Sequence, residues 1–326
     1  MILADARWQG AHGIGRFATE VLARIGPYTP VRSAAPLLHP LDPPCLAAAI
    51  RRARPRVYFS PGFNPPFPVL CPLVFVIHDL IHLTVPGETS LAKRLYYEAL
   101  VKPAARRAAA VITVSETSKA AITQWANIPP SRVVVTGNGV SDAFTFAGPA
   151  YTQRAPYLLY VGSRKPHKNL PRILESFALA RLATDTNLIL TGTPDRATLD
   201  QIRRLNLTSS AVFVATPPDR ELAALYRGAT ALLVPSLSEG FCLPALEAMA
   251  CGCPVVAGHR GAQREILSNA GIYVDPQDTD DIVRGIHAAT DSEVRDRAIA
   301  EGRLRACEFS WDQTAARVTK VLDAVA

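Results

Sequence analysis

Residues 229–258, ATALLVPSLSEGFCLPALEAMACGCPVVAG, hold two short apolar runs on either side of a helical pattern. ATALLVPS and CPVVAG are rich in aliphatic residues and end in polar or glycine-containing loops, which is how a strand buried on both faces reads. Between them Pro244 fits the start of a helix through ALEAMA that stops at Gly252, because proline lacks an amide that the first turn leaves unused. Strand, crossover helix and strand make the unit of a parallel sheet. The alternation extends outward in both directions. LVFVIHD, AAVITVS and RVVVTGNGV read as buried strands of the first half, and YLLYVGS, NLILTG and AVFVA as strands of the second. The expected fold class is α/β, two parallel-sheet domains joined through AFTFAGPAYTQRAPY, about residues 143–157.

The chain has 326 residues, 48% hydrophobic and 19% charged, with mean hydropathy +0.12, which suffices for two domains and excludes disorder and collagen. No run approaches the roughly 18 apolar residues of a spanning helix, and MILADARWQG places Asp5 and Arg7 where a signal peptide needs an apolar core. A cytoplasmic location is expected. Cys45, Cys71, Cys242, Cys251, Cys253 and Cys307 follow no disulfide framework and read as reduced thiols, and the Cys251/Cys253 pair lacks zinc spacing.

Charge is uneven: residues 1–150 hold 15 Lys+Arg against 8 Asp+Glu, whereas residues 151–326 hold 20 of each. Within LAKRLYYEALVKPAARR, residues 91–107, Lys93, Arg94, Lys102, Arg106 and Arg107 face a single Glu98, with Leu91, Leu95, Tyr96 and Leu100 as an apolar side. That mixture suits an anionic surface, either membrane headgroups or an acidic acceptor; the plainer alternative is a solvated basic helix. Nucleic acid fits less well, because the three Trp are scattered and no aromatic-basic interleaving occurs.

Ligands of open α/β sheets bind at the carboxyl ends of strands, so the loops there are the places to look. In GAHGIGRF, Gly10, Gly13 and Gly15 let the backbone approach a phosphate at a helix start, with Arg16 adding charge, although the third glycine of a dinucleotide fingerprint is missing. His78 and Asp79 follow a buried strand, where His78 either hydrogen-bonds a substrate hydroxyl, carries a proton or is a structural loop residue; His82 is a second candidate. In YVGSRKPHKNL, Gly162 ends a strand and Arg164, Lys165 and Lys168 precede a helix, an anion site whose spacing suits a diphosphate. The glutamates of PSLSEGFCLPALEAMACGCPVV cannot share one helix face: Glu239 lies in the loop and Glu247 in the first turns of the helix. Dipole stabilisation accounts for Glu247 but not for Glu239-Gly240-Phe241, a glycine-loop carboxylate before an amide-rich turn suited to sugar hydroxyls and phosphate.

Taken together, EGFCLPALEAMACGCPVV, GIGRF, VIHDL, VITVSETSK, GNGVSDAF, VGSRKPHKN and FSWDQTAARVTKVL resemble the retaining glycosyltransferases of family four, and the mannosyl and rhamnosyl branch most. The resemblance implies a GT-B fold: an acceptor-binding Rossmann-like domain over 1–148, a nucleotide-sugar domain over 149–309, a cleft between them, and a C-terminal helix at about 310–326 crossing back to the first. It implies that Glu247 holds the ribose and Glu239 contacts the donor sugar, that Arg164 and Lys168 neutralise the diphosphate, that Gly240, Phe241, Cys242 and Leu243 offer backbone groups, and that His78 touches the sugar. Gly13, Gly15, Arg16, Gly162 and Ser163 complete the expected donor-binding set. Base contacts are expected from the loops at 191–193 and 215–218.

Three departures stand out: Ser163 follows the strand-end glycine where arginine is common, Cys242 replaces a glycine, and HRGAQREI lacks the usual Ser-Pro-Glu while retaining Glu265. No metal or cofactor is expected, since two cations and a helix dipole serve the leaving diphosphate and DPQDTDD reads as a loop and helix N-cap. The expected activity is hexose transfer, with retention, from a nucleotide sugar, GDP-linked by preference, to a glycan or lipid-linked glycan of the cell surface. A catalytically silent nucleotide-binding scaffold subunit and a sugar-nucleotide epimerase or hydrolase are the alternatives.

Overall fold

A computed structural model of the chain describes residues 1–182 and 186–326. They form two compact units, Met1–Gly139 with Phe309–Ala326, and Val140–Glu308. The first unit is built on β1 (Ile2–Ala4), β2 (Thr29–Pro30), β3 (Val57–Ser60), β4 (Leu73–Val76), β5 (Ala110–Thr113) and β6 (Val133–Val135). They form one sheet of order β2-β1-β3-β4-β5-β6, every pair parallel. The second unit uses β7 (Tyr157–Tyr160), β8 (Asn187–Thr191), β9 (Ala211–Val214), β10 (Ala231–Val234), β11 (Val255–Gly258) and β12 (Gly271–Val274) in the order β12-β11-β10-β7-β8-β9, again all parallel. Central strands such as β4, β5, β7, β10 and β11 are buried at every residue, because helices cover both faces of a parallel sheet.

Every run read from the sequence as a strand is one. The apolar start MILADA becomes β1, while β2, β3 and β12 had no reading: TP, VYFS and GIYV mix polar, aromatic or glycine residues into the run and leave no continuous aliphatic string. Each sheet has a point where strand order reverses, between β1 and β3 in the first and between β7 and β10 in the second. Loops leaving such a pair diverge and open a crevice at the strand ends.

The C-terminal helix Trp311–Val325 belongs to the first unit. It buries Trp311, Val318 and Leu322, sets the Trp311 ring edge-on to Phe17, and joins Arg317 to Thr136 O at 3.1 Å. A Cβ on Gly139 would stand 2.1 Å from the Trp311 nitrogen, so only glycine lets the chain pass there.

The basic segment 91–107 is helical throughout, as Leu91–Tyr96, a wide turn over Tyr97–Val101, and Lys102–Arg107. Its five cations do not form one free stripe. Lys93 donates to Glu88 O at 3.0 Å, Lys102 pairs with Glu98 at 2.9 Å, and Arg106 donates to Ala126 O at 2.8 Å. Tyr96 and Tyr97 pack on Phe63, leaving Leu91, 75% exposed, and Leu95, 59% exposed, on a first turn that buries nothing. No helix among the described residues is long and apolar enough to cross a membrane.

Candidate functional site

In the second unit the reversal between β7 and β10 brings together residues 71 positions apart in sequence. Lys168, in the short turn Pro166–Lys168 after β7, sets its Nζ 2.8 and 2.9 Å from the two carboxylate oxygens of Glu239, in the loop after β10. Their side chains are only 16% and 6% exposed. Burial pulls the Lys168 ammonium down, but the Glu239 carboxylate more than offsets it and holds the group above its ordinary value. The turn is tied to its surroundings. Asn169, in the left-handed region at φ 60°, donates to Pro235 O at 3.0 Å and Pro276 O at 2.7 Å, and Leu237 N donates to His167 O at 2.8 Å.

The loop after β10 runs into the helix Leu243–Ala250, with Pro244 in its first turn as expected. Gly240, Phe241 and Leu243 lead into its amino end, and Glu247 is buried inside it. The Tyr226 hydroxyl donates to Glu247 Oε2 at 3.1 Å; burial, then the Glu247 charge, holds that phenol well above its usual range. Arg164 does not join the Lys168–Glu239 pair. Its Nη1 donates to Gly162 O at 3.1 Å and its Nη2 to Thr191 O at 2.8 Å, at the end of β8, with the guanidinium over the rings of Tyr160 and Phe213. Ser163 is exposed at the turn.

In the first unit His78 follows β4. Its Nε2 lies 3.2 Å from Pro61 O, and Phe17 meets the ring at 90°. Burial, set against the Pro61 hydrogen bond, pulls the imidazole down to about 4. A carbonyl only accepts, so Nε2 carries the proton and Nδ1 keeps its lone pair. The helix Gly13–Leu22 is capped by His12, whose Nδ1 accepts from Gly15 N at 3.0 Å. Gly15 touches Gly10, where a Cβ would come within 2.6 Å of its oxygen, whereas Gly13 is open. Arg16 lies in the first turn of that helix, half-buried. His82 stacks on Phe63 and lies 4.2 Å, tilted, from the Tyr97 ring, in an aromatic cluster.

Among the described residues no group of three or more His, Cys, Asp or Glu side chains is placed to hold a metal ion. DPQDTDD is a loop and cap: Asp278 accepts from the amides of Asp280 and Asp281 at the start of Thr279–Ala288.

Two family profiles match: Glycosyltransferase Family 4 over residues 7–144, and Glycosyl transferases group 1 over residues 145–305. O-antigen chain mannosyltransferase B of Escherichia coli is 31% identical over 291 residues, 85% of this chain and 75% of that protein. The chain belongs to glycosyltransferase family four. This glycosyltransferase is also 31% identical to the O-antigen chain mannosyltransferase RfbU of Salmonella typhimurium, over 65% of its own length and 59% of that relative. Its fold is GT-B, like that of Anabaena HepE, solved in complex with UDP-glucose, which superposes over 99% of both chains with a TM-score of 0.79 at 17% identity.

Where the family signature has glycine, this glycosyltransferase has Cys242 at φ +82°, in the left-handed region, buried at the helix cap. The backbone explains the usual glycine there. Burial, then the neighbouring Glu239 carboxylate, pushes the thiol well up, so it stays protonated. Sequence reading missed Asn169 and Tyr160, which lie inside the quoted YVGSRKPHKNL but whose partners show only in the fold, and Tyr226, which reaches Glu247 from another helix. It also missed the buried set in which Arg7 pairs with Asp5 at 2.7 Å and Asp42 at 2.8 Å while Asn64 donates to both carboxylates. Asp5 and Arg7 showed only as charges near the start; their convergence with Asp42 had no local signal.

Proposed function

We propose that this glycosyltransferase moves a hexose, mannose or a deoxyhexose from a GDP-sugar, onto a glycan or lipid-linked glycan in cell-surface polysaccharide synthesis. Transfer proceeds with retention and without a metal. The buried Lys168–Glu239 pair at the β7/β10 reversal carries the reading. Breaking a glycosyl–phosphate bond leaves negative charge on the diphosphate and positive charge on the sugar. A fixed ammonium held charged by its neighbour lowers the energy of the first, and a carboxylate lowers that of the second. Lys168 has three N–H donors and gives two to Glu239, so one remains for a phosphate oxygen.

In this reading Glu247, steadied by Tyr226, takes the ribose hydroxyls, and the amides near Gly240, Phe241, Cys242 and Leu243 face the donor. His78 serves as an acceptor through Nδ1, binding a sugar hydroxyl; at neutral pH it holds no second proton to give. The glycine helix start at Gly13, Gly15 and Arg16 supplies further donor contacts. Without an enzymatic nucleophile, the acceptor hydroxyl enters on the face the diphosphate leaves, and a departing phosphate oxygen takes its proton. The O-antigen mannosyltransferase relatives support the hexose class and the polysaccharide setting, and the UDP-glucose complex of HepE supports a nucleotide sugar while naming uridine as the competing base. The turn bearing Leu91, Arg94 and Leu95 rests on anionic headgroups at the cytoplasmic membrane face.

A thermal-shift panel of GDP, UDP, dTDP, CDP and NAD in EDTA tests the ligand. A nucleoside diphosphate that binds only the native state adds about 2.7 kcal/mol of stability at 100-fold excess over Kd. GDP is expected to raise Tm most; a response to NAD alone, or only after magnesium is added, contradicts the reading.

A further inference from the structure

Two side chains pin the turn that follows β7. The fork of Arg164 holds Gly162 O at 3.1 Å and Thr191 O at 2.8 Å, joining the ends of β7 and β8. The Tyr160 hydroxyl donates to Ser163 O at 2.6 Å. Gly162 makes room for this, since a Cβ there would stand 3.2 Å from the Tyr160 hydroxyl. The guanidinium is seated 5.4 Å from the centre of the Tyr160 ring and 5.6 Å from that of Phe213, and its Nε is buried with no hydrogen-bond partner among the described residues.

A trans peptide holds each N–H opposite its own carbonyl. With Gly162 O and Ser163 O both drawn onto side chains, the amides of Ser163 and Arg164 are turned the other way, and neither donates to a protein acceptor among the described residues. An unpartnered amide at a strand end keeps its N–H for an anion oxygen. Both amides lie in the loop that leads from β7 into the turn carrying Lys168.

We propose that Arg164 is a positioning residue: together with Tyr160 it orients the Ser163 and Arg164 amides toward the leaving diphosphate, and it does not meet the phosphates as a cation. The proposal rests on the donor site described above. A lysine at 164 keeps the charge but, as a point donor on a flexible stem, cannot bridge two carbonyls while lying flat between two rings.

Calorimetric titration of GDP and UDP into the full chain, in EDTA, distinguishes the two roles. Arg164→Lys is expected to weaken the bound nucleotide by at least about tenfold despite keeping its charge. Tyr160→Phe, which keeps the ring under Arg164 and removes only the second pin, weakens it in the same direction and serves if Arg164→Lys does not fold. The double variant loses less than the product of the two, because both act on one turn. The salt dependence of binding stays unchanged in Arg164→Lys and falls in Lys168→Met. Arg164→Lys binding within about twofold of wild type, beside a clear loss in Arg164→Met, overturns the positioning role alone. A wild-type chain that binds neither nucleotide overturns the donor site and this role together.

Discussion

At the residue scale, the low proton affinity of His78 has a consequence for stability. An unfolded histidine takes a proton near pH 6.5, whereas the folded His78 does so at about 4. Between these values the unfolded chain binds more protons, so stability falls as pH drops from 6.5 to 4 and this group adds no further change below that. The loss is at most about 3 kcal/mol. Urea midpoints at pH 7, 5 and 4 should show this component in wild type and not in His78→Gln. Cys242 poses a backbone question, because a β-branched residue at φ +82° is strained where glycine is not. Cys242→Val should be at least about 2 kcal/mol less stable than Cys242→Gly by the same measurement; equal stability would mean that the loop relaxes.

At the scale of elements, Asn169 holds three loops with one amide, donating to the carbonyls of Pro235 and Pro276 from the turn that carries Lys168. Asn169→Ala leaves the buried Pro235 carbonyl without this donor and Pro276 O with Arg172 alone, costing about 1–3 kcal/mol in a denaturation curve. It also lets Lys168 drift from Glu239, so donor KM should rise together with the lost stability. The sequence hid this: nothing near Asn169 shows that its side chain is committed to loops far along the chain. Strand runs such as LVFV and ALLV were legible because burial on both faces leaves a continuous apolar string, and VYFS and GIYV, of the same length, were not, because serine, glycine and tyrosine interrupt the string. Lys168 and Glu239 were each legible as chemistry in a loop, but their pairing needs the strand order. The direction of Arg164 needs still more, the carbonyl at the end of β8 and a ring on β9.

At the scale of the whole molecule, the first unit is completed by the last 18 residues, Phe309–Ala326. Gly139→Ala forces a methyl against the Trp311 backbone and should cost about 1–3 kcal/mol by overpacking, read as a lowered Tm. If the proposed membrane contact holds, Leu91→Glu with Leu95→Glu should abolish cosedimentation with anionic phosphatidylglycerol vesicles while leaving Tm unchanged, since neither leucine is buried. Binding equal to wild type would remove that surface from the account. The central claim concerns transfer at the Lys168–Glu239 pair. Its most direct test follows release of nucleoside diphosphate from GDP-mannose and UDP-glucose in EDTA, with and without a glycan acceptor, by wild type and Glu239→Ala. The account predicts acceptor-dependent release that falls by about 100-fold or more in Glu239→Ala, with the product anomer matching the donor; release that ignores the acceptor, or that Glu239→Ala leaves unchanged, would contradict it.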